Sequence, residues 1–321
     1  MIRRIAVFAF ALLTASAHAA SIDELRRLFD YDAKAPLSRQ DNMLYDRDGV
    51  RVYDVSFDSP KGGRVTGYMV VPPGPGPFAG VVFGHWGYGN RTEFLPEAEL
   101  YAEAGAVSVL IDYPWTRPAP WRRSLSEPDE PEKDRGLYVQ TVVDLRRAFD
   151  LLTSRPDVDG NRLAYVGHSY GAQWGAVLAA VDQRMKAAVL VGGIPDLASI
   201  WLENDDPNIA EFRQKVPKEK VARYLEVNGP LNAVNYVPHA APVPLMFQFA
   251  RYERYFEEAA MNRYFKAASE PKLARWYATG HELNDIRAMV DRAAFLQEKI
   301  RIKPLKPIVE KKLKPPSDLR K

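Results

Sequence analysis

Residues 162–171 read RLAYVGHSYG, and this stretch decides the fold. A short apolar strand, Arg162 to Val166, leads directly into the pentapeptide 167–171, which has the pattern G-x-S-x-G. The small residues of 172–180 then predict a helix. A strand, a tight turn and a helix in this order lift the Ser169 hydroxyl above a sheet edge, and the two glycines remove side chains that would collide with nearby backbone. The alternative is a glycine-rich helix start that Ser169 merely caps.

Apolar strands alternate with helical segments along most of the chain. Val50 to Phe57 and Val65 to Val71 are predicted to pair through a turn at Gly62-Gly63. Further strands are predicted at 80–83, 107–112, 162–166, 187–191, 245–249 and 273–278, and helices at 94–104, 136–152 and 284–299. Short buried strands separated by helices indicate right-handed crossovers and a mainly parallel sheet. The predicted fold class is therefore α/β.

Composition excludes several kinds of site. The chain has 321 residues, no Cys, and 44 Lys+Arg against 41 Asp+Glu, which gives a net charge of +3. Without thiols there is no disulfide framework, thiolate metal site or cysteine nucleophile. The basic excess is small and gathers near the C-terminus, so it does not indicate nucleic-acid binding. No H-E-x-x-H metal motif and no nucleotide-binding glycine loop occurs, and no metal or cofactor is predicted.

The first residues have the pattern of an export signal. Arg3 and Arg4 form a basic start, 5–13 is a short apolar run, and 17–19 has the small-x-small pattern of a cleavage site. The apolar run is too short to span a bilayer, so no stable membrane span is expected after its removal. We expect residues 1–19 to be a signal peptide and the protein to be secreted or periplasmic.

The rest divides into one large domain and a tail. Residues 20–302 carry the apolar pattern of a single globular domain. Residues 303–321 are rich in Lys and Pro, a composition that is typical of a solvated, disordered tail.

A serine hydroxyl needs a base and a carboxylate that orients the base. His281 follows the last predicted strand, so it lies at the sheet edge where Ser169 is expected, whereas His239 precedes a strand and is the less favoured alternative. Glu253 is the first acidic residue after strand 245–249, and Asp196 is the reserve acid. The order Ser169, Glu253, His281 is the chain order expected for a strand–turn–helix nucleophile. The competing interpretation of Glu253 is a surface carboxylate paired with a neighbouring arginine.

Backbone N–H groups are the expected donors to a tetrahedral oxyanion. One is predicted to be the amide of Tyr170, the residue after the serine. The other is expected from the glycine-rich loop 84–89, where we favour the amide of Trp86 over that of Gly87.

These residues carry a resemblance to a known superfamily. The segment from about Val50 to Lys299 resembles the α/β hydrolases, and within them the branch of dienelactone-hydrolase-like and acetyl-xylan-esterase-like serine esterases. The motifs that carry the resemblance are Gly84-His85-Trp86-Gly87, Gly167-His168-Ser169-Tyr170-Gly171-Ala172-Gln173, Asp182-Gln183-Arg184-Met185-Lys186-Ala187 and Gly280-His281. The resemblance implies that Ser169 is the nucleophile, that His281 is the base, and that a small cap lies at about 197–237.

The resemblance also bears on the reaction. Dienelactone hydrolases proper have Cys where this chain has Ser169, so their reaction is not expected. The expected activity is hydrolysis of a small-molecule carboxylic ester through an acyl-enzyme, without a cofactor. Two alternatives are a peptidase similar to the catalytic domain of the prolyl oligopeptidases, and a hydrolase fold that is retained only for binding.

Overall fold

The computed structural model describes residues 21–204 and 206–312. Its strands are β1 (Gln40–Arg47), β2 (Val50–Asp58), β3 (Arg64–Val71), β4 (Phe78–Gly84), β5 (Ala106–Ile111), β6 (Val158–His168), β7 (Met185–Val191), β8 (Leu245–Tyr252) and β9 (Lys272–Gly280). Its α-helices are α1 (Ile22–Arg27), α2 (Leu95–Glu103), α3 (Pro131–Thr153), α4 (Tyr170–Val181), α5 (Leu197–Trp201), α6 (Pro207–Lys215), α7 (Lys218–Asn228), α8 (Glu258–Ala267), α9 (Ile286–Ile300) and α10 (Leu305–Lys312).

The strands form one sheet in the order β1-β2-β3-β5-β4-β6-β7-β8-β9. Strand β2 pairs with β1 and with β3, and β3 pairs with β5, and these three pairs are antiparallel. All the other strand pairs are parallel. The predicted early hairpin is confirmed, with Val52 opposite Val70 and the turn at Gly62-Gly63. The predicted α/β class and mainly parallel sheet are also confirmed. Because the strands from β4 onward run in one direction, their carboxyl ends share one edge of the sheet.

Two apolar layers cover the two faces of this sheet. Along β4, Val81 contributes to one layer and Val82 to the other, as the period-two alternation of a strand requires. The layer that contains Val82 is completed by α3 and α4, and the opposite layer by α2 and α9. Burial on both faces explains why the central strands are nearly uninterrupted apolar runs.

Two elements at the ends differ from the sequence prediction. Strand β1 was not predicted, because its residues are exposed except for the half-buried Tyr45 and show no apolar alternation. The predicted solvated tail at 303–321 is wrong for its first part. Residues of α10 pack on the sheet layer through Leu305 and Val309, which are buried and share one helix face at i and i+4. The high Lys and Pro content of the segment indicates a solvated tail, so two apolar residues on one helix face are not evident from its composition.

The predicted signal peptide at 1–19 lies outside the described residues, as do residues 313–321. Across 21–204 and 206–312, no helix combines the length and the apolar character that crossing a bilayer demands.

The segment predicted as a cap contains α5, α6 and α7, followed by three short 3-10 turns. Helix α7 packs against α3, where the hydroxyls of Tyr224 and Tyr138 are 2.6 Å apart. The ring of Trp201 in α5 packs edge-to-face with that of Phe212 and at a tilt against that of Tyr224. The segment therefore forms a wall beside the carboxyl edge of the sheet.

Candidate active site

Ser169 occupies the sharp turn between β6 and α4. Its backbone has φ +56° and ψ −113°, a strained conformation for a residue with a side chain. The turn is held in place because the Ser169 amide donates to the Val191 carbonyl at 2.8 Å. The turn that carries Ser169 is thus both strained and anchored, between the end of β6 and the first residue of α4.

Glycines allow the backbone to pack tightly around this turn. A Cβ at Gly167 would lie 2.4 Å from the Gly171 carbonyl oxygen, and a Cβ at Gly171 would lie 2.2 Å from the Gly84 carbonyl oxygen. Neither side chain can be accommodated without moving the backbone. The G-x-S-x-G spacing therefore has a steric cause at both glycines. The Ser169 side chain makes no capping hydrogen bond to α4, so the alternative in which it merely caps the helix is not supported.

Ser169, His281 and Glu253 are brought together by three strand ends. His281 Nε2 is 2.9 Å from Ser169 Oγ, and His281 Nδ1 is 2.8 Å from Glu253 Oε2. The side chains of His281 and Glu253 are only 6% and 3% exposed, so water competes little for these hydrogen bonds. In the tautomer in which Nδ1–H donates to the carboxylate, Nε2 is the nitrogen that accepts the serine proton.

The second oxygen of Glu253 fixes the position of the acid. Glu253 Oε1 accepts the backbone N–H groups of Arg254 and Tyr255 at 3.0 and 2.9 Å. The Arg254 guanidinium instead lies 3.2 Å from Glu282, so Glu253 is not the arginine-paired surface carboxylate of the competing interpretation. The edges of the Tyr255 and Phe256 rings pack on the imidazole of His281.

The alternative acid and the alternative base that the sequence offered lie away from Ser169. Asp196, the reserve acid, caps α5 and accepts from Ser199 N–H at 2.8 Å. His239 is exposed in a 3-10 turn that precedes β8, at the amino end of that strand. Neither residue is part of the Ser169 cluster.

The loop after β4 corrects one prediction. The Trp86 N–H donates to Glu93 Oε2 at 2.7 Å, so the favoured oxyanion donor is already engaged. Gly87, the second choice, lies beside Tyr170, and a Cβ at Gly87 would be 3.1 Å from the Tyr170 ring. Tyr170 is the first residue of α4, and its N–H has no acceptor within the helix. The amides of Tyr170 and Gly87 thus remain as the two candidate donors, since that of Trp86 is engaged by Glu93.

His85 holds this loop from within the protein. Its Nδ1 donates to the Trp86 carbonyl at 2.6 Å, and its Nε2 accepts the Tyr113 N–H at 3.3 Å. Burial lowers the pKa of His85 to about 3, so the ring stays neutral and keeps both hydrogen bonds. His85 is therefore a structural residue of the loop.

Glu93 and His168 connect the loop after β4 to His281, and neither residue was predicted to have a role in the site. Glu93 Oε1 is 2.6 Å from His168 Nδ1, while His168 Nε2 donates to the backbone carbonyl of His281 at 3.0 Å. Since Glu93 also accepts the Trp86 N–H, one carboxylate connects the oxyanion loop to the base histidine. His168 was visible within the motif, but Glu93 has no sequence signal that would identify it.

A cavity of about 600 Å³ opens in front of Ser169. Its walls are largely aromatic and aliphatic, and its polar groups include Glu127, Arg254 and Glu282. Among residues 21–204 and 206–312, no group of three or more His, Asp or Glu side chains is arranged to hold a metal ion. The arrangement as a whole can activate a serine hydroxyl beside a pocket that fits a small molecule.

Comparisons with known proteins find a similar family and similar folds. The family Acetyl xylan esterase (AXE1) matches residues 21–114. An acetyl xylan esterase from Paenibacillus sp. R4 is similar in structure, with a TM-score of 0.68 and 23% identity over 87% of this chain and 93% of that one. Acetyl xylan esterase 1 from Thermoanaerobacterium sp. JW/SL YS485 has a TM-score of 0.69 and 17% identity, over 86% and 93% of the two chains.

A curated relative matches a shorter stretch. Acyl-coenzyme A amino acid N-acyltransferase 1 from Mus musculus is 25% identical over 159 residues, which are 50% of this chain. The match spans 34% of that protein, so the chain covers about a third of the length of this relative. The comparisons thus agree with the resemblance drawn from the sequence: the chain has the fold of the acetyl xylan esterases, and its residues 21–114 are similar to that family.

Proposed function

We propose that the protein is a serine hydrolase that cleaves a small carboxylic ester through an acyl-enzyme. The observation that carries the proposal is the continuous chain of hydrogen bonds from Glu253 through His281 to Ser169 Oγ. A hydroxyl that is hydrogen-bonded to an imidazole oriented by a carboxylate, beside a pocket, is equipped for attack on a carbonyl carbon.

The reaction follows from the positions of these atoms. Ser169 Oγ attacks the ester carbonyl carbon as its proton passes to His281 Nε2. The carbonyl oxygen becomes an oxyanion, which the N–H groups of Tyr170 and Gly87 stabilise. The imidazolium, stabilised by Glu253, returns the proton to the departing alcohol, and the acyl group stays on Ser169. Water then attacks the acyl-enzyme with His281 again as base, which releases the acid and restores the serine.

A substrate panel tests the proposal and its alternatives. We expect saturable hydrolysis of p-nitrophenyl esters from acetate to octanoate and labelling of one serine by a fluorophosphonate. Acetylated xylo-oligosaccharides belong in the panel because two similar structures are acetyl xylan esterases. Matched peptide p-nitroanilides provide the comparison with a peptidase. Faster cleavage of the anilides would favour the peptidase alternative, and the absence of both turnover and labelling would favour a binding protein.

The Glu93 connection gives a further expected result. Glu93→Ala removes the acceptor for the Trp86 N–H and the partner of His168, so the oxyanion loop and His281 lose a common anchor. We expect kcat for p-nitrophenyl acetate to fall about tenfold with little change in KM, because small misplacement of catalytic groups slows the chemical step. Glu93→Gln still offers an oxygen to Trp86 N–H and an amide to His168, and is expected to recover most of the rate. Equal kcat values for Glu93→Ala and the wild type would contradict this role.

Export by a signal at residues 1–19 is part of the proposal and rests on the basic start, the apolar run and the small-x-small pattern of that segment.

A further inference from the structure

Glu127 gives the proposed active-site cavity an unusual polar end. The residue lines the cavity in front of Ser169 and also the shallower groove beside it, so it stands where the two meet. Tyr170 joins the two ends of the cavity, since its backbone follows Ser169 and its hydroxyl donates to Glu127 Oε1 at 3.3 Å. A ligand whose carbonyl is at Ser169 can therefore reach Glu127 along one tyrosine side chain.

Hydroxyl groups, and not a cation, surround the Glu127 carboxylate. Its Oε1 accepts from the hydroxyls of Tyr138 at 2.6 Å and Tyr224 at 3.2 Å, in addition to Tyr170. Burial, followed by the charge of Glu127, raises the pKa of Tyr170 well above its usual value, so this hydroxyl remains a donor. Among the described residues, no lysine or arginine forms an ion pair with Glu127.

Neighbouring carboxylates in the same loop are neutralised differently. Asp129 pairs with Lys220 at 2.7 Å, and Glu130 pairs with Lys133 at 2.9 Å. Glu127 alone of these three faces the cavity, and it alone relies on tyrosine hydroxyls. A partly buried carboxylate without a cationic partner attracts a cation from the ligand.

The rest of the cavity also favours a positively charged ligand. Apart from histidines, the charged residues that line the cavity are two carboxylates, Glu127 and Glu282, and one cation, Arg254, so their net charge is −1. Arg254 is already paired with Glu282. The walls near Glu127 carry the rings of Tyr88 and Trp201. Aromatic faces attract ammonium groups, and most strongly where water is partly excluded.

We propose that the cavity binds esters that carry an ammonium group, with Glu127 as its counter-ion and the tyrosine and tryptophan rings as its surroundings. The inference rests on the proposed ester hydrolase function and specifies its substrate class. The ester carbonyl is held at Ser169, and the cationic group lies at the Glu127 end of the cavity.

Charged esters and their neutral carbon isosteres test the proposal. One pair is acetylcholine and 3,3-dimethylbutyl acetate, which places the charge on the alcohol. The other is the p-nitrophenyl ester of 4-(trimethylammonio)butanoate and that of 5,5-dimethylhexanoate, which places it on the acyl group. The measured quantity is the ratio of kcat/KM for the charged ester to that for the neutral one. In the wild type we expect a ratio of about ten or more in at least one pair.

Two variants identify the source of the preference. Glu127→Gln retains an oxygen that can accept from the tyrosines, and it is expected to lower the ratio about tenfold. Glu226→Gln removes the same charge from the exposed Glu226, which pairs with Arg223 on α7, and is expected to leave the ratio within about twofold. No preference in either pair, or an equal loss in both variants, would overturn the proposal. The neutral esters separate this result from failure of the proposed function, since an inactive protein would hydrolyse none of the four esters.

Discussion

Ser169→Ala is expected to lower kcat for p-nitrophenyl acetate by about 10⁵-fold, because loss of the nucleophile in a Ser–His–acid arrangement leaves only binding and oxyanion stabilisation. Among the residues that the structure describes, the Ser169 hydroxyl is the one group that both lies 2.9 Å from His281 Nε2 and faces the cavity. Steady-state hydrolysis and fluorophosphonate labelling measure the effect, and both should be lost together. The variant should fold, since alanine retains the Ser169 amide that bonds to the Val191 carbonyl.

Ser124→Ala provides the control for this experiment. Ser124 is exposed in the loop before α3, outside the residues that line the cavity, and its substitution should leave rate and labelling within about twofold. If Ser169→Ala kept more than a hundredth of the wild-type rate, the nucleophile would have to be another group.

The sheet was predictable because its strands are buried on both faces. Strands such as β4 and β7 are continuous apolar runs, which the pattern of the sequence shows directly. Strand β1 lacks that signal because only β2 supports it and its side chains face water. Helix α10 was missed for the opposite reason: Leu305 and Val309 bury one narrow stripe within a segment whose composition indicates solvation.

The residues around Ser169 were predictable to the extent that they follow strand ends. His281 and Glu253 come directly after β9 and β8, and parallel strands place such positions at one edge. The choice between Trp86 and Gly87 depended on Glu93, a residue on the loop before α2 that takes the Trp86 amide. A side-chain contact of this kind joins loop positions that no periodic pattern relates.

The role of Glu127 could not be predicted from the sequence for a similar reason. Its three tyrosine partners come from α3, α4 and α7, so the cluster forms only when the cap segment packs against the main domain. In the sequence it is one of several acidic residues in a proline-containing loop. Only its hydroxyl partners and its position on the cavity wall distinguish it from Asp129 and Glu130.

The two oxygens of Glu253 have different partners, and this determines what an amide would do in their place. Oε1 accepts two backbone N–H groups, and Oε2 accepts His281 Nδ1–H. A glutamine has one oxygen. If that oxygen faces the backbone donors, its NH₂ group faces His281 Nδ1, which must then accept. The proton moves to Nε2, and the imidazole can no longer take the proton of Ser169.

Glu253→Gln is therefore expected to lower kcat about 10³- to 10⁴-fold, as removal of the orienting carboxylate does in other serine hydrolases. Glu253→Asp keeps the charge but is one methylene shorter, so an intermediate loss is expected. Asp196→Asn is the matched control, because it makes the same chemical change at a helix cap and should stay within about threefold of wild type. Kinetics with p-nitrophenyl acetate measure all three. A large loss in Asp196→Asn together with near-normal rates in Glu253→Gln would transfer the role of the acid to Asp196, and would require the loop after β7 to rearrange, since the Asp196 carboxylate is bound to Ser199 in this structure.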